Sequence, residues 1–445
     1  MRLTGTLGWK RIYCLCAAAL LWAGGAHAQS ITSVTDPYTG GTVLCPGGLA
    51  LIKGTQLVGT PKAVIGGVTA YSVSVPFSGP TPFIVEIPFS TPLGATTLQV
   101  TLNSGAVVQF PITLTQYAPV LISSPSGAVI SPIHQASGLP VIASLPAVAG
   151  ETVVVGAIGL GATDPAVATG VISPAGANTT ATPSVTLNGN AVPFVSSALM
   201  PGQIGIYQVA FTVPGGTAAG LYPLTISIGG QTSNALTLPV GPAPTTPVIA
   251  SVLDAALGGT PLCPGDLATL SGANLGANPV VTVGGKTAFN LTSVNANHQM
   301  TIQIPVDAAP GQANVVVTLG NGQVSAPFPV TISALAPVLY GQGSAYPPVH
   351  QSTGAPVSAN SPAVAGETVV FYAIGLGATS PAVPTGTAAP ANAQTVNTPL
   401  VYLQSQTPLS GGGSASLVPG QVGLYQVTFT VPGSPPAGMP HSGPG

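Results

Sequence analysis

The chain carries one long sequence twice. Ile31-Thr-Ser-Val-Thr-Asp36, continuing to Cys45-Pro-Gly, returns 218 residues later as Ile249-Ala-Ser-Val-Leu-Asp254, continuing to Cys263-Pro-Gly. His134-Gln135 returns as His350-Gln351, and Pro146-Ala-Val-Ala-Gly-Glu151-Thr152 as Pro362-Ala-Val-Ala-Gly-Glu367-Thr368. Gly159-Leu-Gly161 returns as Gly375-Leu-Gly377, and the stretch from Pro201 through Tyr207 and Phe211 to Pro214 as Pro419 through Tyr425 and Phe429 to Pro432. So long a period is not one turn of a solenoid, so each copy should itself be a pair of domains.

Both halves of each copy carry strand signals. Thr96–Leu102 alternates, with Leu98, Val100 and Leu102 on one face; Asn103-Ser-Gly105 then turns the chain into Val107–Leu114. Gly66-Gly67 leads into an expected strand over Thr69–Val75. In the repeat, Val315–Leu319, a turn at Gly320-Asn-Gly322 and Val324–Ile332 give the same reading. Ile204–Val213 is the clearest strand: Tyr207, Val209, Phe211 and Val213 form one apolar face, and Gln208 and Thr212 point away. Leu221–Ile228, Gly229-Gly230 and Asn234–Val240 predict a closing hairpin. Only 3% of residues are charged, and Gly (58) and Pro (48) are abundant, a balance that would suit disorder were 45% of the chain not hydrophobic. Short strands and tight turns, with no helical pattern, predict an all-β chain of four tandem antiparallel, immunoglobulin-like β-sandwich modules.

The expected boundaries are a signal peptide at 1–28, sandwiches at 29–118 and 119–241, a Pro-rich linker at 242–247, and sandwiches at 248–335 and 336–445. The leader is read from Arg2, Lys10 and Arg11, the apolar run Tyr13–Trp22 and the small-x-small site Ala26-His27-Ala28. That run is too short to span a bilayer, and no later run is long enough to span one as a helix. Cleavage would leave three lysines against eight acids, a net charge of −5, with no basic patch for nucleic acid. After Pro432 the chain continues as Gly-Ser-Pro-Pro-Ala-Gly438 and shows no strand former, so the last sandwich is expected to lack its closing hairpin and to leave a sheet edge open to pairing.

The segments 30–118 and 248–335 resemble the IPT/TIG immunoglobulin-like sandwich. The resemblance rests on the Ile-x-Ser-Val entry, the Cys-Pro-Gly-(Gly/Asp)-Leu-Ala turn, Gly-x-x-Leu at Gly54–Leu57 and Gly272–Leu275, and the Gly-Gly turns at Ile65–Gly67 and Val283–Gly285. The segments 119–241 and 336–445 resemble the uncharacterised Solibacter-type C-terminal domain of secreted bacterial proteins. They share Pro-Ala-x-x-Gly-Glu-x-Val, Gly-Leu-Gly-x-Thr-x-Pro and Pro-Gly-x-x-Gly-x-Tyr-Gln-Val. The resemblance implies an extracellular β module and no catalytic residues.

The polar residues that recur are His134 with Glu151 and His350 with Glu367. Such a pair can hold a metal or move a proton, but two ligands are an incomplete zinc site, and a Glu between a Gly and a strand can instead bond turn amides. No metal, cofactor or catalytic residue is assigned. Cys45 and Cys263 occupy equivalent places and are expected to be small buried hydrophobes. Tyr207 and Tyr425 are expected to pack in the core with their hydroxyls bonded at an edge. Asp164, matched by Ser380, makes a poor calcium ligand, and the Gly-Leu-Gly is no nucleotide loop without a following helix. The expected function is a secreted or cell-surface, non-catalytic scaffold, spacer or adhesion surface whose partner is an envelope or extracellular protein or a glycan. Carbohydrate binding, which wants exposed aromatics, and an enzyme site between modules are the alternatives.

Overall fold

A computed structural model of the protein describes residues 29–432 apart from 56, 58–61, 74–82, 103–104, 125–130, 342–345, 359 and 402–412. The expected leader, Ser74 and Val75 at the end of one expected strand, the turn residues Asn103 and Ser104, and the tail after Pro432 lie outside the described residues. The described residues contain no helix, and all strand pairs are antiparallel.

Residues 30–114 form two four-stranded sheets. One runs in the order Ser30–Thr35, Leu49–Thr55, Phe83–Glu86, Tyr71–Val73; the other runs Val68–Thr69, Lys62–Ile65, Gly94–Thr101, Val107–Leu114. Alternation fixes the inward faces. Ile52 and Val85 of the first sheet meet Ile65, Leu98 and Val100 of the second, all withdrawn from water. The same two sheets recur over residues 248–332 around Val283, Ile302, Val315 and Val317.

The strand expected over Thr69–Val75 is divided. Val68–Thr69 belongs to one sheet and Tyr71–Val73 to the other, with the chain crossing at the buried Ala70. The second copy crosses in the same way at Ala288, between Lys286–Thr287 and Phe289–Asn290. Alternation signals extended chain but not which sheet it joins. Val324–Ile332 is likewise shorter than expected: the ladder covers Phe328–Ile332, and Val324 makes only an isolated bridge to Thr318.

Residues 120–240 form a larger sandwich. A seven-stranded sheet has Thr152–Ile158 and Tyr207–Thr212 at its centre, paired from Thr152↔Thr212 to Ala157↔Tyr207. Facing it is a five-stranded sheet that includes Ser184–Leu187, Gly220–Ile228 and Leu236–Val240. Gly159 stands where the chain leaves the central strand at a φ of +78°, and a Cβ there would lie 1.9 Å from the Ala118 carbonyl oxygen. Gly375 repeats both values against Ala336. That close approach, and not a ligand, explains the first glycine of each Gly-Leu-Gly.

The fourth unit repeats the seven-stranded sheet, with Thr368–Ile374 paired to Tyr425–Thr430 from Thr368↔Thr430 to Ala373↔Tyr425. Among the described residues no second sheet faces it.

Candidate functional site

The structure brings together each recurring polar pair. His134 sits on the short strand Ile133–His134, which pairs with Thr152–Ile158, so its ring lies over the turn that carries Glu151. Its Nδ1 is 2.9 Å from Glu151 Oε1, and its Nε2 is 3.2 Å from the Leu145 carbonyl oxygen. Glu151 also accepts the Val148 N–H at 2.9 Å. In the second copy His350 Nδ1 bonds Glu367 Oε1, its Nε2 lies 3.1 Å from the Ser361 carbonyl oxygen, and Glu367 accepts the Val364 N–H at 2.8 Å. The Val364 amide first, and the His350 ring second, hold the Glu367 carboxyl below its ordinary value.

Each imidazole thus clasps the turn before the central strand to the strand beside it. Among the described residues no cluster of three or more His, Cys, Asp or Glu could hold a metal. His134→Ala is expected to destabilise the second unit by about 2 kcal/mol, because Glu151 and the Leu145 carbonyl both lose a partner in a largely buried place. A thermal melt of the variant checks this.

Cys45 and Cys263 are free and buried, and burial pushes both thiols up to about 12. Tyr207 and Tyr425 are buried and donate to the Gly161 and Gly377 carbonyls. The second glycine of each Gly-Leu-Gly is accounted for by its φ of +83° or +81° and by the Tyr117 or Leu335 side chain, which a Cβ would meet at 2.8 or 2.6 Å. Burial raises both phenols, so they remain protonated donors.

The junctions between successive sandwiches hold features that the motifs did not signal. Leu49 and Ile84 of the first unit pack on Val120, Ile122, Ile158 and Ile206 of the second. Leu267 of the third packs on Ile374 and Leu424 of the fourth. Leu139 and Leu145 of the second pack on Ala250 of the third. In the first junction the Tyr71 ring lies against Gly170, whose N–H donates to Glu86 at 2.6 Å, and Phe89 N–H donates to Thr169 Oγ1 at 3.2 Å. In the last junction Phe289 lies against Gly386, whose N–H donates to Gln303 at 2.7 Å, and Val306 N–H donates to Thr385 Oγ1 at 3.0 Å. A Cβ on Gly170 or Gly386 would lie 2.4 or 2.5 Å from the ring that covers it.

A carboxyl is buried at each of these two junctions, but at different positions. Glu86 is replaced by Gln303 in the repeat, whereas Gly48 is replaced by Asp266. Burial pushes both Glu86 and Asp266 up to about 7. Glu86→Gln is therefore expected to fold normally, because Gln303 makes the same bond, and to remove a loss of stability that sets in as pH rises from the ordinary Glu range towards about 7. Melts at pH 5 and pH 8 check it. The available sequence signal was a carboxylate closing the apolar run Phe83-Ile-Val-Glu86 in a chain with eight acids.

A cavity lies on the fourth unit. It measures about 680 Å³ and is lined by Phe371, Phe429, Val427, Leu400, Tyr346 and Tyr372, among other apolar residues. Phe371 and Phe429 meet edge to face at 5.8 Å and are only half-buried. Tyr346 lies 5.5 Å from Tyr340 and 5.3 Å from Tyr372, where the cavity runs onto the junction with the third unit.

The chain is a tandem array of antiparallel β-sandwiches. It matches no protein-family model and no curated protein. Among solved structures it is similar to SGBP-B of the Bacteroides ovatus mixed-linkage glucan utilization locus, in complex with a mixed-linkage heptasaccharide. The two are 15% identical over 87% of this chain and 94% of that one, with a TM-score of 0.28. SGBP-B from a complex xyloglucan utilization locus of Bacteroides uniformis is 14% identical over 54% and 61%, with a TM-score of 0.21. The I9–I11 tandem of titin is 10% identical over 64% and 91%, with a TM-score of 0.16. These likenesses concern the fold alone. No helix among the described residues is long and apolar enough to cross a membrane.

Proposed function

We propose that the protein is an exported, non-catalytic scaffold or spacer that holds its sandwiches in fixed succession outside the cytoplasm. The reading keeps the 1–28 leader, the module boundaries and the IPT/TIG-like and Solibacter-type resemblances as its own. The observation that carries it is the duplicated junction. Flexible tethers between independent domains need no shared core, whereas these junctions bury Leu49, Ile84, Ile158 and Ile206 together and repeat the arrangement with Leu267, Ile374 and Leu424. The recurring His–Glu pairs are structural clasps in this reading, because each ring nitrogen and each carboxylate is engaged by the local fold.

The glycan alternative wants aromatic rings gathered on an open platform. The exposed rings Tyr38, Tyr71, Phe194 and Phe289 are spread over three units, and Tyr71 and Phe289 belong to the junctions, whereas the half-buried Tyr340, Tyr346, Tyr372, Phe371 and Phe429 gather at the cavity of the fourth unit, which is where a glycan would be sought. Two measurements test the proposal. Fractionation should place the protein in the envelope or medium at a mass lowered by residues 1–28, and small-angle scattering should fit one rigid arrangement. Full-length protein in the cytoplasm, or scattering that only a freely jointed ensemble fits, would overturn it.

A further inference from the structure

The second unit meets the third through six apolar side chains. Leu139, Ile142 and Leu145 stand on a loop of the second unit, and Val248, Ala250 and Ala273 on the entry edge of the third. His134 holds that loop at both ends: its backbone N–H donates to the Leu139 carbonyl at 2.9 Å, and its ring Nε2 lies 3.2 Å from the Leu145 carbonyl oxygen. Ile142 and Leu145 close the loop by exchanging backbone bonds of 3.0 Å. The fourth unit builds the same loop. His350 N–H donates to the Ala355 carbonyl at 2.9 Å, its Nε2 lies 3.1 Å from the Ser361 carbonyl oxygen, and Ser358 and Ser361 exchange backbone bonds of 2.9 and 3.1 Å. Yet all three docking side chains have changed: Leu139, Ile142 and Leu145 are Ala355, Ser358 and Ser361. The opposing face changes in step. Val248, Ala250 and Ala273 of the third unit are Ser30, Thr32 and Thr55 in the first, while the inward Ile249 and Val252 keep their counterparts Ile31 and Val34. Ser30 pairs with Thr55 across the sheet edge as Val248 pairs with Ala273, so the backbone is the same and the chemistry is not.

We propose that these six positions encode docking between copies, and that the entry edge of the first unit and the exit loop of the fourth carry polar versions that do not receive a further copy of this chain. The proposal rests on the fixed succession proposed above at this one junction. A contact of this kind is head-to-tail, so matching faces at both ends would let it repeat from molecule to molecule as an open filament. Repeat arrays avoid this with terminal members whose outer faces are polar. The hydroxyls on the two outer faces are served locally. Ser30 Oγ lies 3.0 Å from Thr55 Oγ1, Ser361 Oγ lies 3.1 Å from His350 Nε2, and Ser358 Oγ accepts the Ser361 N–H at 3.2 Å. Covering them with another sandwich would strip water from their remaining hydrogen-bonding positions and would bury no Leu or Ile in return. The residue types decide this, whatever sequence adjoins either face.

The test moves the outer versions into the middle junction of the full-length protein. Leu139→Ala, Ile142→Ser and Leu145→Ser together make one variant, and Val248→Ser, Ala250→Thr and Ala273→Thr together make the other. Each new residue already holds the same place in the other copy, so each unit keeps a sequence compatible with its fold. Residues 242–247 tether the two faces at high effective concentration, a more lenient condition than an encounter between separate molecules, so a face that fails to dock here would not dock there. What remains is the Asn274 amide, which donates to the Pro244 and Thr246 carbonyls at 2.6 and 3.3 Å and so grips the linker but not the second unit. Small-angle scattering that one arrangement fits in the parent should require a range of angles about residues 242–247 in each variant. Combining the two sets should loosen the junction no further, because the contact is lost only once. A variant that keeps the parent's single arrangement would overturn this proposal and leave the fixed succession standing; a parent already freely jointed at 242–247 would overturn both.

Discussion

Replacing Phe211 by alanine is expected to destabilise the second unit by about 4 kcal/mol, while the same change at the repeated Phe429 costs the fourth unit about 1 kcal/mol. Both rings occupy the same register on the same strand: Phe211 pairs with Val153, and Phe429 with Val369. Their surroundings differ. Phe211 has no exposure and is packed from both sheets, so its removal forfeits transfer energy and leaves a cavity that a two-sheet core cannot collapse. Phe429 already faces a cavity, and its main partner there is the Phe371 ring at 5.8 Å. Truncating it removes one aromatic contact and some half-exposed apolar area, and opens little new void. Chemical denaturation of the two variants, followed by unit-specific amide exchange, reads the difference directly.

The second large effect is a pH dependence placed at Asp266. This residue is completely buried; one oxygen accepts the Leu267 N–H at 2.9 Å, and Oδ2 has no hydrogen-bond partner among the described residues. Burial, with a smaller contribution from Asp254, raises its carboxyl from the ordinary 3.8 to about 7. Below the ordinary value the group is neutral in the folded and unfolded chains, and no penalty applies. Between that value and about 7 the unfolded chain gives up the proton while the folded chain retains it. Stability therefore falls as pH rises through this window and levels off above it. The full penalty is on the order of 4 kcal/mol. Asp266→Asn should be more stable than the parent at pH 8, and this advantage should shrink steadily to pH 4. Its melting temperature should be flatter across that range. A parent whose third unit is equally stable at pH 5 and pH 8 would contradict the assignment. Gly48 holds this place in the first copy, so the corresponding titration there belongs to Glu86 instead.

The repeat and the alternation of Leu98, Val100, Tyr207, Val209 and Phe211 made the strands, the inward faces and the tandem all-β class legible, because a period of two has one buried face. Sheet membership was not legible: the crossings at Ala70 and Ala288 break no local pattern. The His–Glu clasps could be named, but their purpose depended on which strand lies beside Thr152–Ile158, a non-local fact. Asp36 and Asp254, present in the opening repeat, act locally by contrast. Asp36 accepts the Tyr38, Thr39 and Gly41 amides, and Asp254 those of Ala256, Leu257 and Gly259, each carboxylate closing its own turn. The junction carboxyls escaped notice because Glu86 is Gln303 in the second copy and Asp266 is Gly48 in the first, so no repeated acid marks them. The cavity of the fourth unit was not legible: Phe211 and Phe429 hold the same place in the repeat, and only their burial tells them apart.

Native-state amide hydrogen exchange on the two equivalent strands tests the account most directly. Tyr207–Thr212 is a central strand of its sheet, with the second sheet packed on its apolar face, and should exchange only through opening of the whole second unit. Tyr425–Thr430 has the same pairing within its sheet, but its Phe429 is half-exposed beside a cavity where Phe211 is fully buried, and it should exchange faster by about two orders of magnitude or more. Equal protection of the two strands would contradict the conclusion that the fourth unit buries this face less completely than the second.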